Sequence, residues 1–224
     1  MKSPASEDWQ KLLNDIRKEY KYTCGYTGRP LPDPRVMKAM AKVPRHEFVP
    51  PALRGQAYYN SPLPIGMSQT ISQPYIVALM TDLLDLREDS TVLEVGTGSG
   101  YQAAVLAQIA AKVYSTEIIE DLAVEAGNRL KRLGYDNIVT GVRDGYNGWP
   151  EFAPFDGIIV TAAAAEIPPP LVEQLAPGAN LVIPVGNRSY SQQLLVVGKK
   201  EDSSIRVSNV LDVVFVPLTG PLGR

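Results

Sequence analysis

The chain has little of what most metal or nucleophilic sites are built from: one cysteine, Cys24, and one histidine, His46, in 224 residues. A lone cysteine excludes an internal disulfide and any cysteine-rich zinc cluster. One cysteine and one histidine are also too few soft ligands for a dedicated transition-metal site, and the carboxylates show no calcium-loop pattern. No bound metal is expected. A basic excess is missing too, since the formal net charge is −2, which leaves no electrostatic footprint for nucleic acid. No apolar run approaches the ~18 residues of a membrane span. The opening decapeptide, MKSPASEDWQ, is polar and lacks the apolar stretch of a signal peptide. The expectation is a cytoplasmic monomer with no nucleic-acid or membrane partner. What is present is ordinary globular composition, 45% hydrophobic and 21% charged, in a chain long enough to bury a core as one domain over 1–224.

Residues 1–60 read as a helical, loop-rich segment. Ser6 suits a helix cap ahead of Glu7 and Asp8, and Trp9, Leu12, Leu13, Ile16 and Tyr20 then share one helical face. Tyr22–Pro32, with two glycines and two prolines, predicts a loop, and Asp33-Pro34 restarts a helix that Pro44 ends. Over 61–90, SPLPIGMSQT predicts an extended loop, and Ser72-Gln73-Pro74 opens a helix with an apolar stripe from Ile76 to Leu84. From Thr91 the pattern alternates between strands and helices. Strands are expected at Thr91–Val95, Lys112–Thr116, Ile138–Val142, Phe155–Thr161 and Asn180–Val185, with helices from Tyr101, over Glu120–Leu133 and over Pro169–Leu175. This α/β alternation over 91–186 implies an open, mostly parallel, doubly wound sheet. In the last part, 187–224, Gln193–Val197 and Val207–Val216 read as an antiparallel pair at one end.

The run VLEVGTGSGY, Val92–Tyr101, places Gly96, Gly98 and Gly100, with Thr97 and Ser99 between them, where a strand gives way to a helix. Glycine there permits close backbone approach to a ligand at the carboxyl ends of the strands. A tight turn without a ligand is the plain alternative. Two acids after the next two strands favour the ligand. Glu117 falls roughly 20 residues after the first glycine, where a carboxylate can accept from both ribose hydroxyls. Asp144-Gly145 follows the third strand, where a second acid could meet an adenine edge. The glycines are spaced G-x-G-x-G rather than the G-x-G-x-x-G of a dinucleotide fold. Glu94 would repel a pyrophosphate but suits the cationic amino end of S-adenosylmethionine. No Lys-Ser or Lys-Thr follows to make a P-loop. A methyl donor, with S-adenosylhomocysteine as product, is the reading these residues favour.

With these residues in view the chain resembles the protein-L-isoaspartate O-methyltransferase family. The likeness runs from about Pro44 to Leu218, through PRHEFVP, LPIGMSQTISQPYIVALMTDLL, RLGYDNIVTGVRDGYNGWP, APFDGIIVTAAAAEIPPPLVEQL, LVIPVG and FVPL. The glycine loop is common to many methyltransferases, whereas QTISQP beside PIG is much narrower. The resemblance implies methyl transfer to the free α-carboxylate of isoaspartyl residues in proteins and peptides. The ester then closes to a succinimide, whose hydrolysis returns some normal aspartate. A carboxylate is already ionised at pH 7, so the dearth of histidine and cysteine fits. The resemblance matches Ser72 to the family's active-site serine. The local sequence reads Ser72 equally as a helix N-cap, and Thr70 is the neighbour expected to help it hold the carboxylate. Two departures stand out: Ser68 replaces a usual glycine, straining the loop if φ is positive there, and Val214 replaces a frequent arginine. Two other readings stay open: a methyltransferase for another carboxylate or small molecule, and a silent donor-binding module. His46, next to Glu47, reads as structural or solvated. Tyr58 and Tyr59 read as packing beneath the loop, and Ala162–Ala165 either as passing close to the donor or as a packing seam.

Overall fold

The computed structural model describes residues 4–186 and 191–220. The elements in chain order are α1 (Pro4–Thr27), α2 (Pro34–Lys42), β1 (Leu63–Gly66), β2 (Gln69–Ile71), α3 (Pro74–Asp82), β3 (Thr91–Val95), α4 (Tyr101–Leu106), β4 (Lys112–Glu117) and α5 (Glu120–Arg132). They continue with β5 (Ile138–Val142), β6 (Phe155–Val160), α6 (Pro169–Glu173), β7 (Leu175–Val185), β8 (Gln192–Lys199) and β9 (Ile205–Val213). Seven strands form one sheet in the order β5-β4-β3-β6-β7-β8-β9. The first five are parallel, and β8 and β9 add antiparallel to the β7 edge.

The strands are apolar because both faces of the sheet are covered. Successive side chains on a strand point to opposite faces, and each central strand divides accordingly. Val92, Ile159 and Val182 join the core cluster that contains the buried faces of α1 to α4. Leu93, Ile158 and Leu181 join a second cluster with Leu171 of α6, Trp149 and Phe155. Each of these fully buried aliphatic side chains is worth roughly 1.5–3 kcal/mol.

Several boundaries differ from the sequence expectation. The first helix starts at Pro4, ahead of Ser6, and continues through Tyr22 to Thr27. Tertiary contacts override its loop-like composition: Tyr20 donates to Asp82, and the Thr23 and Tyr75 hydroxyls lie 2.6 Å apart. Gly28, at φ 66°, ends it by returning its N–H to the Cys24 carbonyl. The segment expected as an extended loop is a hairpin, with Leu63 opposite Ile71 and Thr70 opposite Pro64. Ser72 does not cap α3; Gln73 does, extended at ψ 133°, as the proline that follows requires. The helix α6 ends at Glu173, and β7 begins at Leu175 with a register shift before Asn180. Strand β9 ends at Val213, which releases Val214–Val216 from the sheet.

Candidate active site

The strand order reverses between β3 and β6, so the chains leaving those two strands diverge and open a crevice. The glycine loop fills its floor. The N–H groups of Gly96 and Thr97 both bond the Thr116 carbonyl at 2.8 and 3.0 Å, which folds the loop back over β4. Gly96 sits at φ 99°, a conformation that favours glycine, and its carbonyl accepts from the Thr161 hydroxyl at 2.6 Å. A side chain at Gly96 would run into that same hydroxyl. Gly100, at φ 87°, starts α4.

Two acids face this loop. Glu117, at the end of β4, accepts from the N–H of Gly98 at 2.8 Å and from those of Ile118 and Ile119, each at 3.0 Å. The second, Glu94 on β3, is fully buried. Its Oε2 accepts from the Ser115 hydroxyl, which lies 2.6 Å from that of Thr97. Its Oε1 has no partner of good geometry among the described residues. Burial outweighs the Ser115 hydroxyl and the Ala103 amide that favour the anion, and Glu117 adds to the rise, so the carboxyl is pushed up to about 8.

These groups line a cavity with about 750 Å³ of empty space, counted to its open mouth. Glu94, Gly96, Thr97, Gly98, Ser99, Glu117 and Gly145 are on its wall, as are Thr70 and Ser72. A second cavity, with about 950 Å³ of empty space counted likewise to its open mouth, is lined by Pro62, Gln73, Ile76, Asp212 and Val213–Val216. Thr70, Ser72, Thr161 and Val216 line both, and so form the partition between the two spaces. Among the described residues no protein group hydrogen-bonds the Ser72 hydroxyl, because Gln73 has taken the cap position. The hairpin β1–β2 closes over the glycine loop, with Ile65 next to Gly98. Its two-residue tip, Met67 and Ser68, has φ of 49° and 58°, so the serine does occupy a left-handed position.

The structure brings together most of the residues singled out by sequence. Two are placed differently. Gly100 turns the chain into α4 behind the cavity wall, where Leu130 fills the space beside it. Asp144 stands outside the lining, accepting from the Tyr146 N–H at 3.0 Å, and Gly220 packs close enough that a Cβ there would be 2.8 Å from its Oδ2. His46 bonds the Tyr58 hydroxyl at 2.6 Å, away from both cavities. Tyr58 is buried against Trp9 and Tyr59 is exposed. Ala162 lines the first cavity, while Ala163 and Ala164 bridge to Pro217 and Val185.

The wall also contains Thr161 and Val216–Thr219, which sequence patterning does not single out. Thr161 was detectable only from its place after β6 at the strand-order reversal. The last segment is held by two bonds to Ala163, from its N–H to the Val216 carbonyl at 2.8 Å and from the Leu218 N–H to its own carbonyl at 2.7 Å. Among the described residues no helix is long and apolar enough to cross a membrane, and no cluster of three metal-ligating side chains forms.

Residues 27–223 match the family model described as protein-L-isoaspartate(D-aspartate) O-methyltransferase. Protein-L-isoaspartate O-methyltransferase 2 of Syntrophobacter fumaroxidans is 60% identical over 94% of this chain and 85% of its own length. The protein of the same name from Nitrosococcus oceani is 58% identical, over 94% and 96% respectively. A solved protein-L-isoaspartate O-methyltransferase superposes with a TM-score of 0.81 at 29% identity, over 96% of this chain and 67% of that one. A Plasmodium falciparum chain assigned to the same activity, solved in complex with S-adenosyl-L-homocysteine, gives a TM-score of 0.76 at 27% identity, over 93% and 97%.

Proposed function

Since the chain belongs to the protein-L-isoaspartate(D-aspartate) O-methyltransferase family, we propose that it transfers a methyl group from S-adenosylmethionine to the free α-carboxylate of isoaspartyl residues. The observation that carries this reading is the pair of cavities sharing Ser72 and Thr70. One has the chemistry of the donor and the other is open to a peptide.

The donor fits the first cavity. Glu94 offers a buried oxygen that lacks a partner of good geometry among the described residues, which suits an ammonium. Glu117 is fixed by three backbone amides with its carboxylate on the wall, which suits a ribose diol. Gly96, Thr97, Gly98, Ser99 and Gly145 give close backbone approach; a Cβ at Gly145 would collide with Val95. Gly100 serves by turning the chain into α4, and Asp144 by holding the loop that carries Gly145. When bound, the donor supplies an electrophilic methyl on a sulfonium.

The protein's task is positional. A carboxylate acceptor is ionised at neutral pH and needs no proton removed. Ser72 has a hydroxyl free to donate and Thr70 lies beside it on the partition, so both orient the acceptor carboxylate toward the donor cavity. The hairpin above and Val216–Thr219 at the side keep water from the junction. Alignment of this kind is worth about 7–11 kcal/mol when geometry is ideal. We extend the reading to a cytoplasmic monomer; light scattering tests the oligomeric state.

The experiment is labelled methyl transfer to an isoaspartyl peptide and to its normal aspartyl twin. The isoaspartyl peptide alone should be labelled. Equal labelling rejects the repair activity, and donor binding without labelling points to a silent binding module.

A further inference from the structure

Arg45 is out of place for its chemistry. Its side chain is completely buried, yet no carboxylate pairs with it among the described residues. Its Nε and Nη1 have no hydrogen-bond partner of good geometry among those residues, Nη2 takes the Ser61 carbonyl at 3.3 Å, and the Tyr101 hydroxyl adds a weaker interaction. The guanidinium lies over the Tyr101 ring, 4.8 Å from its centroid. A buried cation without a counter-ion costs stability, and replacing such a group with an apolar one of similar volume is often neutral or stabilising. Packing alone therefore does not account for an arginine here.

Its neighbours do. Tyr101 lines the donor cavity. Ser61 leads directly into Pro62, which lines the acceptor cavity. The hairpin pairs Leu63 with Ile71, so Pro62 and Ser72 are the chain neighbours of its last pair, and both line the acceptor cavity. The charge thus touches a residue of the first cavity's wall, Tyr101, and, through the Ser61 carbonyl, the residue before Pro62 on the second. Charges act over longer range in a dry interior than in water.

Building on the proposed reaction, we propose that Arg45 is a positioning residue whose buried charge draws the acceptor carboxylate to Ser72. The reaction itself dictates the signature. Carboxylate and sulfonium enter as ions and leave as a neutral ester and a neutral sulfide, so the attraction to Arg45 is strongest before the methyl moves. It lowers the KM for the acceptor and contributes nothing to kcat.

The test uses the full chain with R45M, R45Q and R45K, an isoaspartyl peptide and S-adenosylmethionine. R45Q keeps a donor for the Ser61 carbonyl without the charge, and R45K keeps the charge. Both neutral variants should raise the peptide KM about tenfold with kcat unchanged or slightly higher, while R45K stays within about threefold of wild type. Donor affinity should not weaken, and the melting temperature of R45M should match or exceed that of wild type. A peptide KM unchanged in the neutral variants overturns the proposal. So does an R45K as impaired as R45Q, or a loss shared equally by donor, peptide and melting temperature. If R45M does not fold, the R45Q and R45K pair gives the same comparison. Wild-type protein that labels no isoaspartyl peptide would reject the reaction and this role together; a charge-independent KM in an active wild type rejects the role alone.

Discussion

The proposed seat of the donor ammonium at Glu94 predicts that donor binding releases a proton. The folded Glu94 carboxyl is pushed up to about 8, chiefly by burial, against about 4.3 in an exposed chain. At pH 7 the ligand-free protein therefore holds roughly 0.9 of a proton there. A donor ammonium beside Oε1 favours the anion, so binding expels that proton. Calorimetry with S-adenosylhomocysteine at pH 7, in two buffers of different ionisation enthalpy, should report release of about 0.9 proton. The release should fall away as the pH rises past 8. The same shift has a sign in stability. A raised folded pKa means that the stabilisation is complete below about 4.3 and is lost as pH climbs through 8, so ligand-free protein should weaken across that interval. The full difference is on the order of 5 kcal/mol. E94Q, fixed in the neutral form, should lose this pH dependence and the proton release, with donor affinity down roughly 100-fold from the missing charge-assisted bond. An E94Q protein that still releases the proton refutes the assignment, as does wild type that releases none.

Three further outcomes follow from the site. Ser72→Ala removes the free hydroxyl at the junction of the cavities, and kcat/KM for an isoaspartyl peptide should drop at least about tenfold with donor affinity intact, as read by steady-state kinetics; an unchanged value removes Ser72 from the mechanism. Gly96→Ala places a methyl against the Thr161 hydroxyl at φ 99°, a strain of about 2–3 kcal/mol, so donor affinity by calorimetry should fall more than tenfold and G96A T161A should recover part of it. Ser68→Gly relaxes a left-handed serine at the hairpin tip and should raise urea stability by about 0.5–1 kcal/mol, whereas a loss would mean that the hydroxyl makes a contact outweighing the strain.

The sheet was readable because its strands are short apolar runs at regular intervals, and period-two burial on both faces leaves no other use for VLEV or FDGIIV. The glycine loop was readable because three glycines in five residues have few structural reasons to exist. The hairpin at 63–71 was not. Its strands are four and three residues long, its turn carries Met67-Ser68 instead of a glycine pair, and what holds it is tertiary: Leu63 and Ile71 are buried in the main core and Ile65 lies beside Gly98. The cap of α3 was misassigned to Ser72 because serine is the better capping residue, but Pro74 fixes the preceding residue as extended and moves the cap to Gln73. That one-residue difference leaves the serine hydroxyl free. The place of Thr161 and Val216–Thr219 on the cavity wall was hidden for another reason: they reach it through the sheet order and a two-bond clamp on Ala163, neither of which leaves a local pattern.

The scarcity of histidine and cysteine takes on a specific meaning beside this geometry. A reaction that joins an anion to a cationic methyl donor needs no base, and its charges cancel as the bond forms. Groups that attract either ion therefore act before the transition state. On the proposed reading Glu94 faces the donor with an anion in reserve, and Arg45, in contact with Tyr101, carries a cation that no carboxylate pairs among the described residues. Each is buried at a cost to the fold, and each is matched to the ion that arrives on its side. Their removal should appear in affinities. On the same reading the rate of transfer comes from elsewhere, from the alignment that we propose Ser72, Thr70 and the hairpin impose where the two cavities meet. Kinetic effects should divide along that line: binding constants respond to the two buried charges, and kcat responds to the partition.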